Sequence, residues 1–150
     1  SSNPEVLKNI KKGITRERMI EFNKDAKEAG LRIHADFAIG FNGETKEGIL
    51  ETIKWAKELD PDSAQFQLII PYPSTPFYDW LVEHNCLLGK EPNYPNLSNE
   101  DCRRLAKLAY REFYLSFRYF KKALRNPNEF IFARIDTIIH ALQAMFWKRW

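Results

Sequence analysis

The sequence predicts an α/β fold: a parallel sheet with helices packed against it, followed by a helical segment of different character. Three observations carry the prediction. Two stretches alternate apolar and polar residues, a run with apolar residues at helical spacing lies between them, and the last third is basic and aromatic with helical periodicity.

Taken in order, Glu5 to Lys12 reads as a short helix closed by Gly13. Thr15 is placed to cap a second helix ending at Gly30, with Met19, Phe22, Ala26 and Ala29 on one face. In "LRIHADFAIGF" the odd positions Leu31, Ile33, Ala35, Phe37, Ile39 and Phe41 are apolar, and Arg32, His34, Asp36, Ala38 and Gly40 fill the even ones, which predicts a strand. Thr45 caps a third helix, Lys46 to Leu59, whose buried stripe is Ile49, Ile53 and Ala56. In "SAQFQLIIPYP" Ala64, Phe66, Leu68 and Ile70 face one way, and Ser63, Gln65 and Gln67 the other.

Helix and strand alternating through short loops is the pattern of a βαβ unit, and ligands of such sheets sit beyond the carboxyl ends of the strands. Two loops fall there. One is the turn in "DFAIGFNGETKEGI", where Gly-x-x-Gly opens a helix and is expected to leave backbone N–H groups free for a ligand. The other is "PYPSTPFYD", whose three prolines predict an irregular loop.

The even face of the first strand and Gln65 and Gln67 of the second are polar, whereas a sheet covered on both sides needs apolar faces. A half-cylinder with a polar lumen fits this pattern; an exposed sheet or a self-satisfied polar network fits it too. Two strands cannot close a barrel, so further strands are expected upstream.

With 150 residues, 44% hydrophobic and 29% charged, the chain can form a compact domain with a core, and it has no uninterrupted apolar run of spanning length. Nothing resembles a signal peptide, so a cytoplasmic location is expected, with a peripheral position at a membrane as an extension. The opening Ser1-Ser2-Asn3-Pro4, without an initiator Met, leads to the expectation of a fragment or a processed chain. Cys86 and Cys102 stand 16 positions apart with no metal-ligand spacing around them, so two reduced thiols and no metal site are expected.

Residues 1–101 hold 12 Lys/Arg against 17 Asp/Glu, and residues 102–150 hold 11 against 3. The boundary is placed at 90: residues 1–90 as the α/β part, 91–150 as a helical, basic and aromatic region. Ser98 caps a helix with Leu105, Leu108, Ala109, Phe113 and Phe117 near helical spacing, and Pro127 divides it from a last helix, "EFIFARIDTIIHALQAMFWKRW". Such a pair suits packing against a barrel, a lipid interface or RNA; Trp147, Lys148, Arg149 and Trp150 are the mixture favoured at headgroup depth.

Three stretches resemble a known family. "EVLKNIKKGIT", "FAIGFNGET" and "PYPSTPFYD" are similar, in order and spacing, to the later half of the radical S-adenosylmethionine (SAM) domain, in the branch whose members often bind cobalamin. The second matches the family's G-x-P-G-E-T turn with Asn42 where proline is usual, and the third its P-Y-P-G-T-P-x-Y loop with Ser74 where glycine is usual. The tail "YREFYL…RNPNEFIFARIDTI" resembles radical SAM proteins of hopanoid lipid biosynthesis.

The resemblance implies the later part of a partial (β/α)6 barrel followed by a helical segment. It also implies an intact enzyme in which a [4Fe–4S] cluster on a C-x3-C-x2-C loop cleaves SAM to a 5′-deoxyadenosyl radical. That cysteine loop is absent from these residues, so this chain alone is expected to be inactive. Ser1, Ser2, Ala38, Ile39, Gly40, Gly43, Glu44, Ile70 and Pro71 would border SAM, with Gly40 letting the base approach. Gln65 and Gln67 would meet substrate, and His34 and Asp36 would position it or relay a proton. The implied partners are a small-molecule or lipid substrate, an electron donor such as flavodoxin or ferredoxin, and a membrane surface, with no nucleic acid expected; cobalamin is a further implied cofactor. The competing reading is a non-catalytic module that binds an anionic surface through the basic, aromatic tail.

Overall fold

The computed structural model describes residues 1–125. Its first helix, α1 (Pro4–Asn9), starts where Asn3 accepts from the amides of Glu5 and Val6. Thr15 and Thr45 cap α2 (Arg16–Glu28) and α3 (Lys46–Leu59) as their sequence positions predict. Between and after these helices run β1 (His34–Ile39) and β2 (Ser63–Leu68), which pair in parallel from His34↔Ser63 to Ile39↔Leu68.

Periodicity sets which side of this sheet is covered. Phe37 and Ile39 of β1 and Ala64 and Phe66 of β2 are buried, and Phe37 stacks on Phe66 with ring centroids 5.0 Å apart. Beneath them lie Ile49, Ile53, Trp55 and Ala56 of α3. The same core takes Leu97 and then Cys102, Ala106, Ala109 and Phe113 from α5 (Asn99–Tyr114), so residues on both sides of position 90 share it. The opposite side of the sheet, with His34, Asp36, Gln65 and Gln67, is exposed.

The structure shows two small sheets: the β1–β2 pair and an antiparallel hairpin of β3 (Leu87–Leu88) and β4 (Glu91–Pro92). The described residues therefore form no barrel wall beyond two strands. Three local expectations are corrected. On α2 the buried positions are Asn23 and Ala26, while Phe22 is 62% exposed; Asn23 holds its place by donating to the Leu59 carbonyl at 2.7 Å. The proline loop is only partly irregular, because Thr75 caps α4 (Pro76–Glu83) and Pro76 takes its first position, where a missing N–H costs nothing. The helix expected to reach Phe117 ends at Tyr114, and a separate α6 (Phe117–Arg125) leaves Phe117 80% exposed.

Helix α6 buries no residue completely and is fastened by the Tyr119 ring, which packs on Phe113 and Tyr114, and through charge. The Lys122 ammonium reaches the Asp60 carboxylate at 2.8 Å and the carbonyls of Asp60 and Pro61 at 3.1 Å each, at the carboxyl end of α3, where the helix dipole favours a cation. The sequence elements expected at Pro127, in the last helix and at Trp147 to Trp150 lie outside the described residues.

Candidate functional site

Both strands end at one rim, and the turn after β1 is built around a carboxylate. Glu44 accepts from the amides of Gly40 at 2.7 Å and Phe41 at 3.2 Å. Burial pushes its pKa up, and these amide donors oppose that shift. The two N–H groups expected to await a ligand are thus satisfied by the turn's own side chain.

Gly40 has φ +104°, and a Cβ there would sit 3.3 Å from Ile69 Cγ2 and 3.7 Å from Cys102 Sγ. Its missing side chain lets β2 and α5 close in; the space is taken by protein. The Tyr94 hydroxyl donates to the Gly40 carbonyl at 2.8 Å, and burial raises its pKa so that it stays a donor. Burial, with the Glu44 and Asp101 charges, pushes the Cys102 thiol up to about 12. Gly43, at φ +83°, is exposed, and a Cβ there would meet Asn9 Nδ2 at 3.2 Å.

Of the residues implied to border SAM, Ser1 contacts Glu44, and Ile39 and Gly40 lie across the pair from Leu68 and Ile69. Ala38 is half-buried opposite Gln67, Pro71 is buried, and Ile70 is 56% exposed at the end of β2. Ser2 is turned elsewhere: its amide donates to Thr52 Oγ1 at 3.0 Å, and the two hydroxyls lie 3.2 Å apart.

His34 and Asp36 form a separate cluster. His34 Nε2 lies 3.3 Å from Asp36 Oδ1, and its Nδ1 is 2.7 Å from the hydroxyl of buried Ser63. This line of three groups starts at the amino end of the strands, so His34 is about 20 Å along an extended strand from Gly40. Gln65 donates to Gln67 at 3.2 Å, and Gln67 is nearer the rim. Ser63 was missed because a serine at a strand start carries no signal until the register places it beside His34.

A second feature belongs to the outer edge of β2. The Tyr114 hydroxyl donates to the Ala64 carbonyl at 2.7 Å and accepts from the Ala64 amide at 3.2 Å. One helical turn earlier, the Tyr110 ring packs edge-on against Phe66 with centroids 5.5 Å apart. Toward the rim a cavity of about 220 Å³ opens, lined among others by Gln67, Leu68, Ile70, Arg103, Ala106 and Lys107.

Among the described residues no group of three His, Cys, Asp or Glu side chains is placed to hold a metal ion, and both thiols are buried. These residues do not fit a [4Fe–4S] cluster. The exposed, apolar Ile70 at the end of β2 suits the face of a small organic cofactor at the rim.

Comparison with known proteins gives the relationship. Residues 1–56 match the family profile of the Radical SAM superfamily. The chain is 35% identical over 144 residues to an uncharacterized methyltransferase of Pyrococcus horikoshii, covering 89% of this chain and 31% of that protein. It is 34% identical over 70 residues to the anaerobic magnesium-protoporphyrin IX monomethyl ester cyclase of Cereibacter sphaeroides, covering 44% of this chain and 11% of the cyclase. Over 78 residues it is 36% identical to the tRNA-2-methylthio-N(6)-dimethylallyladenosine synthase of Anoxybacillus flavithermus, 51% of this chain and 15% of the synthase. The chain spans less than a third of the length of each of these relatives. Over residues 1–56 it is similar to the Radical SAM superfamily domain.

Proposed function

We propose that this chain forms the later wall of a radical SAM barrel and that the intact protein is a radical SAM enzyme. The observation that carries the reading is the common rim: the parallel register sets Gly40 beside Ile69, with Glu44 holding the turn and Ile70 exposed next to it. Radical chemistry would be supplied by SAM and a [4Fe–4S] cluster held by residues other than those described. This chain's part is placement. Glu44 fixes the turn without needing a ligand, Ile70 offers an apolar face to the adenosine, and Gln65 and Gln67 offer amide donors and acceptors to a polar group on the open face of the sheet.

The narrower form assigns a hopanoid-type lipid or other small molecule as substrate, flavodoxin or ferredoxin as electron donor, and cobalamin as a further cofactor. Its support is the resemblance of the loops and the tail; the relatives named for methyl and methylthio transfer favour transfer of a one-carbon or sulfur-containing group. A peripheral membrane position belongs to the same proposal. It is supported by α6, which exposes Phe117, Phe120 and Leu124 beside Lys121 and Arg125. Among the described residues no helix is long and apolar enough to cross a membrane.

The test is SAM affinity of the intact, anaerobically reconstituted protein against its Ile70→Glu variant. A loss of about tenfold or more in affinity, with cluster absorbance retained, is expected from a charge placed against the adenosine. Equal affinity in the two proteins removes Ile70 from the site, and absence of both SAM binding and cluster absorbance removes the enzyme reading.

A further inference from the structure

In a parallel pair, alternate residues of an outer strand turn their N–H and C=O groups away from the partner strand. On β2, Ile69 donates to the Ile39 carbonyl of β1, so Ala64, Phe66 and Leu68 are the residues whose backbone faces outward. Helix α5 answers this edge with one side chain per turn. Tyr114 takes both backbone groups of Ala64, and Tyr110 lies edge-on over Phe66 with ring centroids 5.5 Å apart. The next position on the same helical face is residue 106, and it is alanine. The phenolic series stops one step short of Leu68, and the cavity of about 220 Å³ occupies the missing step.

The walls of this cavity have a definite chemistry. Phe66, Ile70, Ala106 and Tyr110 supply apolar surface, Gln65 and Gln67 supply side-chain amides, and the outward backbone edge of Leu68 is polar. Two cations border it. Arg103 is committed to Glu91 through two 2.6 Å contacts and to Asn99 Oδ1 at 2.8 Å, whereas Lys107 makes no hydrogen bond or ion pair among the described residues.

We propose that this cavity binds a small aromatic acid whose ring lies on the apolar wall, whose hydroxyl or carbonyl pairs with the Leu68 edge as Tyr114 pairs with Ala64, and whose carboxylate meets Lys107. The volume suits a single substituted ring; drug-sized pockets are larger, roughly 300–1,000 Å³. The cavity shares Gln65, Gln67 and Ile70 with the polar face and the rim, but binding here requires neither cluster nor SAM, so its failure and that of the radical SAM reading are separately visible.

The experiment is ligand-detected NMR and calorimetry on the intact protein, without SAM, using 4-hydroxyphenylacetate as the probe and its neutral alcohol analogue as control. Expected is binding of the acid, weaker binding of the alcohol, and a loss of about tenfold or more with Lys107→Met, the worth of one charge-assisted contact. Ala106→Tyr continues the phenolic series, fills the cavity and should abolish binding while the melting temperature does not fall. No binding of the acid at low millimolar concentration overturns the proposal, as does undiminished binding to a folded Ala106→Tyr protein. Equal affinity for acid and alcohol overturns the role of Lys107 and with it the ligand class.

Discussion

The phenol of Tyr114 takes both outward-facing backbone groups of Ala64, accepting from the amide at 3.2 Å and donating to the carbonyl at 2.7 Å. A helix side chain here replaces the hydrogen bonds that a neighbouring strand would make, and so blunts an open sheet edge. Tyr114→Phe keeps the ring packing against Phe113 and Tyr119 and removes only the hydroxyl. Leaving two partly buried backbone groups unpaired should cost about 1–3 kcal/mol, read as a lower urea midpoint with unchanged slope.

Positive φ angles separate two substitutions by sign. Gly40→Ala puts a side chain at φ +104° and 3.3 Å from Ile69, and is expected to destabilise by about 2 kcal/mol or more. Ser74, at φ +67°, already carries that kind of strain. Ser74→Gly should relieve about 1–2 kcal/mol of left-handed strain, and added unfolded-state freedom leaves a net gain of about 0.5–1 kcal/mol. Thermal denaturation of the pair should move in opposite directions.

Asp101 gives a pH signature. Hydrogen bonds from the Ser98 side chain, and then from Lys46, hold its carboxyl at about 2, below its ordinary 3.8. A depressed carboxylate pKa contributes stability that is present above 3.8 and is lost as pH falls through about 2. Wild type should therefore exceed Asp101→Asn in stability by a constant amount above pH 3.8, and the two should converge by about pH 2. A difference that persists unchanged at the lowest pH would show that the Ser98–Asp101 capping box and the Lys46 bridge do not depend on the charge.

Helix α6 is held by the Lys122 ammonium, by Arg118 on the Lys57 carbonyl at 3.3 Å and by Tyr119 packed on Phe113 and Tyr114. Lys122→Met keeps the aliphatic stem but removes the contacts to Asp60 and Pro61. A loss of about 1–2 kcal/mol is expected, confined to α6. Amide hydrogen exchange should speed up in residues 117–125 and stay unchanged in β1 and β2; uniform acceleration would instead mean that α6 unfolds only with the whole domain.

Where the rule is local, the sequence was sufficient. Thr15, Thr45 and Ser98 cap their helices because a hydroxyl needs only an amide three residues ahead, and strands formed at 34–39 and 63–68, inside the 31–41 and 63–70 stretches, because alternation is a property of neighbours. Periodicity also separated the polar strip of His34, Asp36, Gln65 and Gln67 from the core, and the motif order pointed to the Radical SAM relationship that residues 1–56 bear. It did not fix the rotation of α2, where buried Asn23 takes a place that spacing alone gave to Phe22, because the Leu59 carbonyl that rewards Asn23 is 36 residues away.

Only the tertiary structure decided how the rim and the sheet edge are satisfied. The turn at Gly40 looked open to a ligand until Glu44 folded back onto its amides, and Gly40 looked like room for a base until Ile69 and Cys102 filled it. Ser63 met His34, and Tyr114 met Ala64, through register and helix packing across 29 and 50 residues. The physical reason is common to all of them: a polar group is committed by whichever partner reaches it, and partners distant in sequence are chosen by the packing of the core, which spacing along the chain does not encode.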